Sequence, residues 1–132
     1  MRHALALLVL VAGISSLPQH ARAQWQVDGV PLCATDSIQS SPRIVSDGAG
    51  GAIVTWYDKR SGNFDIYAQR VNASGIVQWT AAGVAISTAL NDQQNCQIVS
   101  DGAGGAIIAW EDTRSGASID IYAQGVNSAG QP

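Results

Sequence analysis

The sequence predicts an all-β protein made of two four-stranded antiparallel repeats, and three observations carry that prediction. A long stretch of the chain occurs twice; each copy divides into short β-branched and aromatic segments between Gly-rich turns; and those segments are apolar on both faces.

The repeat comes first. Ile44–Ile53 recurs letter for letter at Ile98–Ile107, an offset of 54 residues, and the match runs on to Gly62 against Gly116 with 15 of those 19 positions identical. One inserted residue follows, after which Asp65–Gln69 returns as Asp120–Gln124. Upstream, Trp25 matches Trp79 and Gly29-Val30 matches Gly83-Val84. The chain therefore divides into residues 1–23, a first unit at 24–77 and a second at 78–132.

Residues 1–23 read as a secretory signal peptide: Arg2, the apolar run Ala4–Ile14, then Ala21-Arg22-Ala23 as an A-x-A cleavage site. The chain is expected to be cleaved after Ala23 and exported, ending up secreted, at the cell surface or in the periplasm.

Within each unit the strands follow in order. Arg43–Ser46 is a short strand leading into the turn at Asp47–Gly51. Ala52–Tyr57 is β-branched and aromatic and ends at the Asp58–Gly62 cluster, and Ile66–Val71 has the same character. A fourth strand lies within Ile76–Thr88, with Gly83 as a break. The connectors are too short for crossover helices, which leaves antiparallel hairpins.

Side-chain parity along the second strand sets the architecture. Ala52, Val54 and Trp56 point one way, Ile53 and Thr55 the other, and the second unit repeats this with Ala106, Ile108 and Trp110 against Ile107 and Ala109. A sheet with one wet face alternates apolar with polar; this one does not. Sheets apolar on both sides need cover on both sides, the situation of a β-propeller blade between neighbours. The reading is two blade-like repeats forming an incomplete ring, with a two-sheet β-sandwich as the alternative.

Composition excludes several functions. Beyond residue 23 the chain has five Lys/Arg, ten Asp/Glu and no histidine, a formal charge of −5. Triads that need an imidazole base, and most zinc sites, cannot be built from it. An acidic chain has no electrostatic footprint for nucleic acid, and no second run of about 18 apolar residues offers a membrane span. No cofactor or metal is expected.

Two motifs recur. Asp47-Gly48-Ala49-Gly50-Gly51, repeated as Asp101-Gly102-Ala103-Gly104-Gly105, lacks the Lys-Ser/Thr and helix of a phosphate loop and the oxygen count of a calcium loop. It reads as a structural hairpin turn, with glycines supplying positive φ and the Asp accepting from nearby amides. Trp56-x-Asp58-x-Arg60 and Trp110-x-Asp112-x-Arg114 are the candidate ligand contacts, since an indole stacks on a sugar face while a guanidinium donates to hydroxyls. The competing and favoured reading packs each Trp between sheets and pairs each Asp with its Arg. Asp58 and Asp65, like Asp112 and Asp120, bracket a hairpin loop as paired carboxylates do in glycoside hydrolysis. Both units carry the pair, so it serves the fold and no catalytic residue is assigned. Cys33 and Cys96 fall at unlike repeat positions, and in an exported chain they either bridge the units or stay free.

The pattern D-G-x-G-G-x-I-V-x-W-x-D-x-R-x-G-x-x-D-I-Y-A-Q resembles a repeat of exported bacterial proteins read as β-propeller blades, and it covers nearly all of both units. Ser46, Asp47 and Trp56 also echo the Asp-box of sialidase-type propellers, without its spacing, so no sialidase chemistry is carried over. The resemblance implies a non-enzymatic surface or secreted module that binds or scaffolds, its partner a protein or a glycan. The alternatives are a small lectin assembled from two-blade protomers and a fragment of a larger propeller enzyme. Open blade faces at both ends make a homo-oligomer a further expectation.

Overall fold

Gly-rich turns after each short β-branched run fold the chain back on itself, and the result in a computed structural model is seven antiparallel strands. The structure describes residues 25–132; the expected signal peptide lies outside them. The strands are β1 (Gln39–Ser46), β2 (Ala52–Asp58), β3 (Asp65–Val71), β4 (Val84–Ser87), β5 (Gln93–Ser100), β6 (Ala106–Asp112) and β7 (Asp120–Val126). They form a four-stranded sheet in the order β1-β2-β3-β4 and a three-stranded sheet in the order β5-β6-β7. Among the described residues no helix is long and apolar enough to cross a membrane.

The expectation of four strands per sheet holds for the first sheet only; the second has three among the described residues. The fourth strand of the first sheet, β4, comes from beyond residue 77, so the packed sheet and the sequence repeat are out of phase. Val77 makes only an isolated bridge to Val71, and the chain then turns through Gly83, at φ 93°, before β4 begins.

β1 also starts four residues earlier than its apolar pattern indicates. Ser41 has φ 51° and Pro42 lacks an amide hydrogen, so the ladder slips there, with partners resuming at Arg43. Asn95, at φ 54°, occupies the same bulge in β5.

Strand parity sorts each sheet into a front and a back. Val54, Trp56, Tyr67 and Gln69 share the front of the first sheet, with Ile53, Thr55, Ile66 and Ala68 on its back. On the second sheet Ile108, Trp110 and Tyr122 are front residues, and Ile107, Ile121 and Ala123 back ones. The core joins unlike faces. Ile53, Ile66 and Ala68 from the first back pack with Ala106, Ile108 and Trp110 from the second front. Cys96 and Ile86 are in the same cluster. Burying one such large apolar side chain contributes about 1.5–3 kcal/mol.

Candidate functional site

Two residues after each buried Trp the strand ends in an Asp, and parity puts both on the same face. Trp56 and Trp110 are each 4 % exposed, and Asp58 and Asp112 are fully buried. Asp58 Oδ2 accepts from Trp56 Nε1 (3.3 Å) and Arg60 Nη2 (2.6 Å), while Oδ1 accepts from the Arg60 amide (2.8 Å). Asp112 repeats the pattern: Oδ2 accepts from Trp110 Nε1 (2.8 Å) and Arg114 Nη2 (2.5 Å). Its Oδ1 accepts from the Arg114 amide and from Arg114 Nε, both at 2.9 Å.

A tyrosine closes each ring. Tyr67 is the cross-strand partner of Trp56, and Tyr122 of Trp110. The ring pairs lie 6.5 and 6.4 Å apart between centroids, each tilted by 20°. Arg60 Cζ sits 3.8 Å from the Tyr67 centroid, and Arg114 Cζ 3.7 Å from that of Tyr122. The six candidate contacts Trp56, Asp58, Arg60, Trp110, Asp112 and Arg114 are thus brought together as two rings; Trp110 packs between the sheets as expected, whereas Trp56 lies on the outer front of the first sheet beneath Leu32 and Cys33. Their indole faces are covered by the neighbouring tyrosine and by packing. Spacing along the chain does not single out the tyrosines; the recurrence of D-I-Y-A-Q is the signal for them.

Electrostatics match the geometry. Burial pushes the Asp58 carboxyl up, but hydrogen bonds from Arg60 and Trp56 outweigh it and hold the group below the usual carboxylate range. At Asp112 the same contest, with Arg114 and Trp110 donating, ends at about 2. Asp65, directly opposite Asp58, goes the other way, because burial dominates over the Ser61 and Asn63 hydrogen bonds. Both oxygens of Asp58 are engaged by donors, which makes it a poor nucleophile or base.

The Asp-Gly turns close on themselves. Asp47 Oδ1 accepts from the amides of Ala49 and Gly51, both at 2.8 Å, and Asp101 Oδ1 from Ala103 (2.7 Å) and Gly105 (2.9 Å). Gly48, Gly50, Gly102 and Gly104 have φ of 76°, 85°, 77° and 84°. Gly51 and Gly105 are required for another reason: a Cβ on either would collide with the carbonyl of Val71 or Val126. Arg70 adds an ion pair to Asp47 at 2.9 Å. In the second unit Gly125 replaces that arginine.

The Cys33–Cys96 bridge weighed from the sequence is not formed; both thiols are free. The reason is the front-to-back stacking. Cys96 is buried between the sheets, whereas Cys33 packs on the opposite, front side of the first sheet against Val54, Trp56 and Tyr67. There it accepts from Arg60 Nη2 at 3.2 Å.

One polar groove lies where the hairpin loops of the two sheets meet. It encloses about 390 Å³ and is lined by Asn63, Asn91, Asp92, Thr113 and Gly116. Asn63 Nδ2 reaches the Asn91 carbonyl at 2.5 Å, and the Phe64 amide donates to Asp92 Oδ1 at 2.9 Å, so the loops are tied to one another. No family model, curated protein or solved structure matches this chain.

Proposed function

We propose that the chain is an exported, non-enzymatic β-propeller-type module that binds or scaffolds through its loops. The observation that carries this reading is the stacking of the back of one sheet on the front of its repeat. β5 approaches β1, β2 and β3, so the second sheet lies face to face on the first, as successive blades would. The ion-paired state of Asp58 and Asp112 supports a structural role for the acidic pairs and argues against glycoside hydrolysis. The blades then serve as a rigid frame that presents the loops between the strands.

A lectin is the second reading, favoured by the amide-lined groove rather than by the tryptophans. Asn63, Asn91 and the Thr113 hydroxyl tie the loops together, and the second carboxylate oxygen of Asp92 is an acceptor suited to sugar hydroxyls. A glycan array probed with the purified chain and with Asp92→Asn separates the two. Glycan binding lost in the variant selects the lectin. Absence of glycan binding, with a protein captured from the exported fraction, selects the protein-binding module. Turnover of any glycan by the chain would overturn the non-enzymatic reading.

A further inference from the structure

We infer that the chain binds a second copy of itself head to tail: the back of the second sheet covers the front of the first sheet of the next copy. Residues 30–33 of that copy extend the free edge of β7. The inference goes beyond the binding reading and stands on the stacking alone.

The two units carry nearly the same residues, yet one set is buried where the other is open. Ile53 and Ile66, on the back of the first sheet, are 0 % exposed; their counterparts Ile107 and Ile121 are 48 % and 73 % exposed. On the front the relation is reversed, with Ile98 packed against the core and its counterpart Ile44 exposed at 70 %. Each open residue has the shape of one already buried at the internal joint. The open back of one copy and the open front of another are therefore complementary in the way the two sheets of one chain already are.

The edge strand tells the same story through its hydrogen bonds. Gln69 grips the approach to β4, its Oε1 accepting from the Trp79 amide at 3.0 Å and its Nε2 donating to Thr80 O at 2.9 Å. Arg60 adds a bond to Ala82 O at 3.0 Å. The second-unit counterparts Gln124 and Arg114 make none of these bonds among the described residues, and Tyr122 is 37 % exposed where Tyr67 is 8 %.

The matching strand is already in place. Leu32 and Cys33 lie on the front of the first sheet as Ile86 lies on the front of the second. Trp25 sits over Gly75 as Trp79 sits over Gly130. Transferring the β3–β4 register, in which Ile66 faces Ser87 and Ala68 faces Val84, puts Ile121 opposite Cys33 and Ala123 opposite Val30 of the second copy. No segment has to leave its own chain. Some bonds of the internal joint have no equivalent at the new one: Arg70 Nη1 donates to Ser128 O at 3.3 Å where Gly125 cannot, Asn63, which donates to Asn91 O, gives way to Ala117-Ser118, and Asp92, which accepts from the Phe64 amide, gives way to Ile38.

A joint between unlike surfaces is heterologous, which closes into a ring or grows as a filament. Sedimentation velocity of the purified chain over a range of concentrations is expected to show species larger than one chain. Ile44→Asp on the front and Ile121→Asp on the back each leave one sound half, so each alone is monomeric. Mixed one to one, they form a dimer and nothing larger. A two-fold interface would give no such rescue. Circular dichroism checks that the variants remain folded. Independently, Ile121→Cys is expected to produce a ladder on a non-reducing gel through Cys33 of the second copy, and Ile119→Cys, out of register, is not. A wild-type chain that stays monomeric throughout reserves these faces for another protein and overturns the inference. So does a mixture that fails to pair, or a gel without the ladder.

Discussion

Replacing Asp112 by Asn tests whether the Trp–Asp–Arg ring holds the sheet together. The carboxylate is fully buried and accepts four hydrogen bonds, from Trp110 Nε1 and from the amide, Nε and Nη2 of Arg114. Asparagine keeps the shape, but one acceptor oxygen becomes a donor, so two of the four donors meet an N–H. Hydrogen bonds to a charged partner contribute about 1.5–3 kcal/mol each. The Arg114 side chain is 33 % exposed and regains part of the loss by turning to water. A net cost of about 3 kcal/mol at pH 7 follows, equivalent to about 15 °C in Tm for a domain of this size. Urea unfolding followed by tryptophan fluorescence measures it. The pH dependence supplies a second readout. Asp112 titrates at about 2 in the folded chain against an ordinary 3.8. A depressed carboxylate stabilises fully above its unfolded pKa, and that share is lost as pH falls through the folded one. The gap between wild type and variant should therefore be widest above about pH 4 and narrow by about 2 kcal/mol toward pH 2. A loss below about 0.5 kcal/mol, within the range of ordinary surface changes, would refute the reasoning. A gap that does not change with pH would do the same.

Asp65→Asn should stabilise the chain at neutral pH. Burial raises the Asp65 pKa, so its ionised form is disfavoured in the fold; the penalty is relieved as pH falls from the raised folded value toward the ordinary 3.8, and the gain should vanish below that. Thermal unfolding at pH 7 and in acid checks both points. Gly125→Arg restores the counterpart of the Arg70–Asp47 pair beside Asp101 and removes a strand glycine, with open space at its Cβ. It should raise stability by about 1 kcal/mol by urea midpoint. Gly51→Ala drives a Cβ into the Val71 carbonyl and should cost about 3 kcal/mol or more, seen as a lowered Tm or loss of folded yield.

Much of the fold was legible because β2 and β3 are β-branched and aromatic between turn residues, and because the repeat shows each of them twice. The first half of β1, Gln39–Pro42, was not, since a polar run ending in proline carries no strand signal and its pairing rests on a bulge. β4 was placed only within a window: Val84–Ser87 is short, and Gln69 and Arg60 hold the segment ahead of it, at Thr80 and Ala82, while Ile86 enters the core. At the site, Trp, Asp and Arg stood out by spacing, and parity assigned the tryptophans to the buried side. Tyr67 and Tyr122 did not stand out, because they join the ring through cross-strand register, which linear spacing cannot display. The state of the cysteines was left open for a related reason. Their distance in sequence says nothing about which face of a sheet each lies on.

The offset between repeat and sheet has a consequence for how such a chain can change its length. Because β4 is encoded with the unit that follows it, a cut at residue 77 strips the outer strand from one sheet, while a cut in the loop at 88–92 leaves both sheets whole. Insertion or deletion of one whole period nevertheless keeps the strand register within each sheet and leaves one open front and one open back at the ends, as before. Recombination between repeats would then alter the copy number while reusing the same kind of joint. Variation that costs the fold little can accumulate in the number of repeats, while the sequence of each repeat is constrained by the neighbours it must fit.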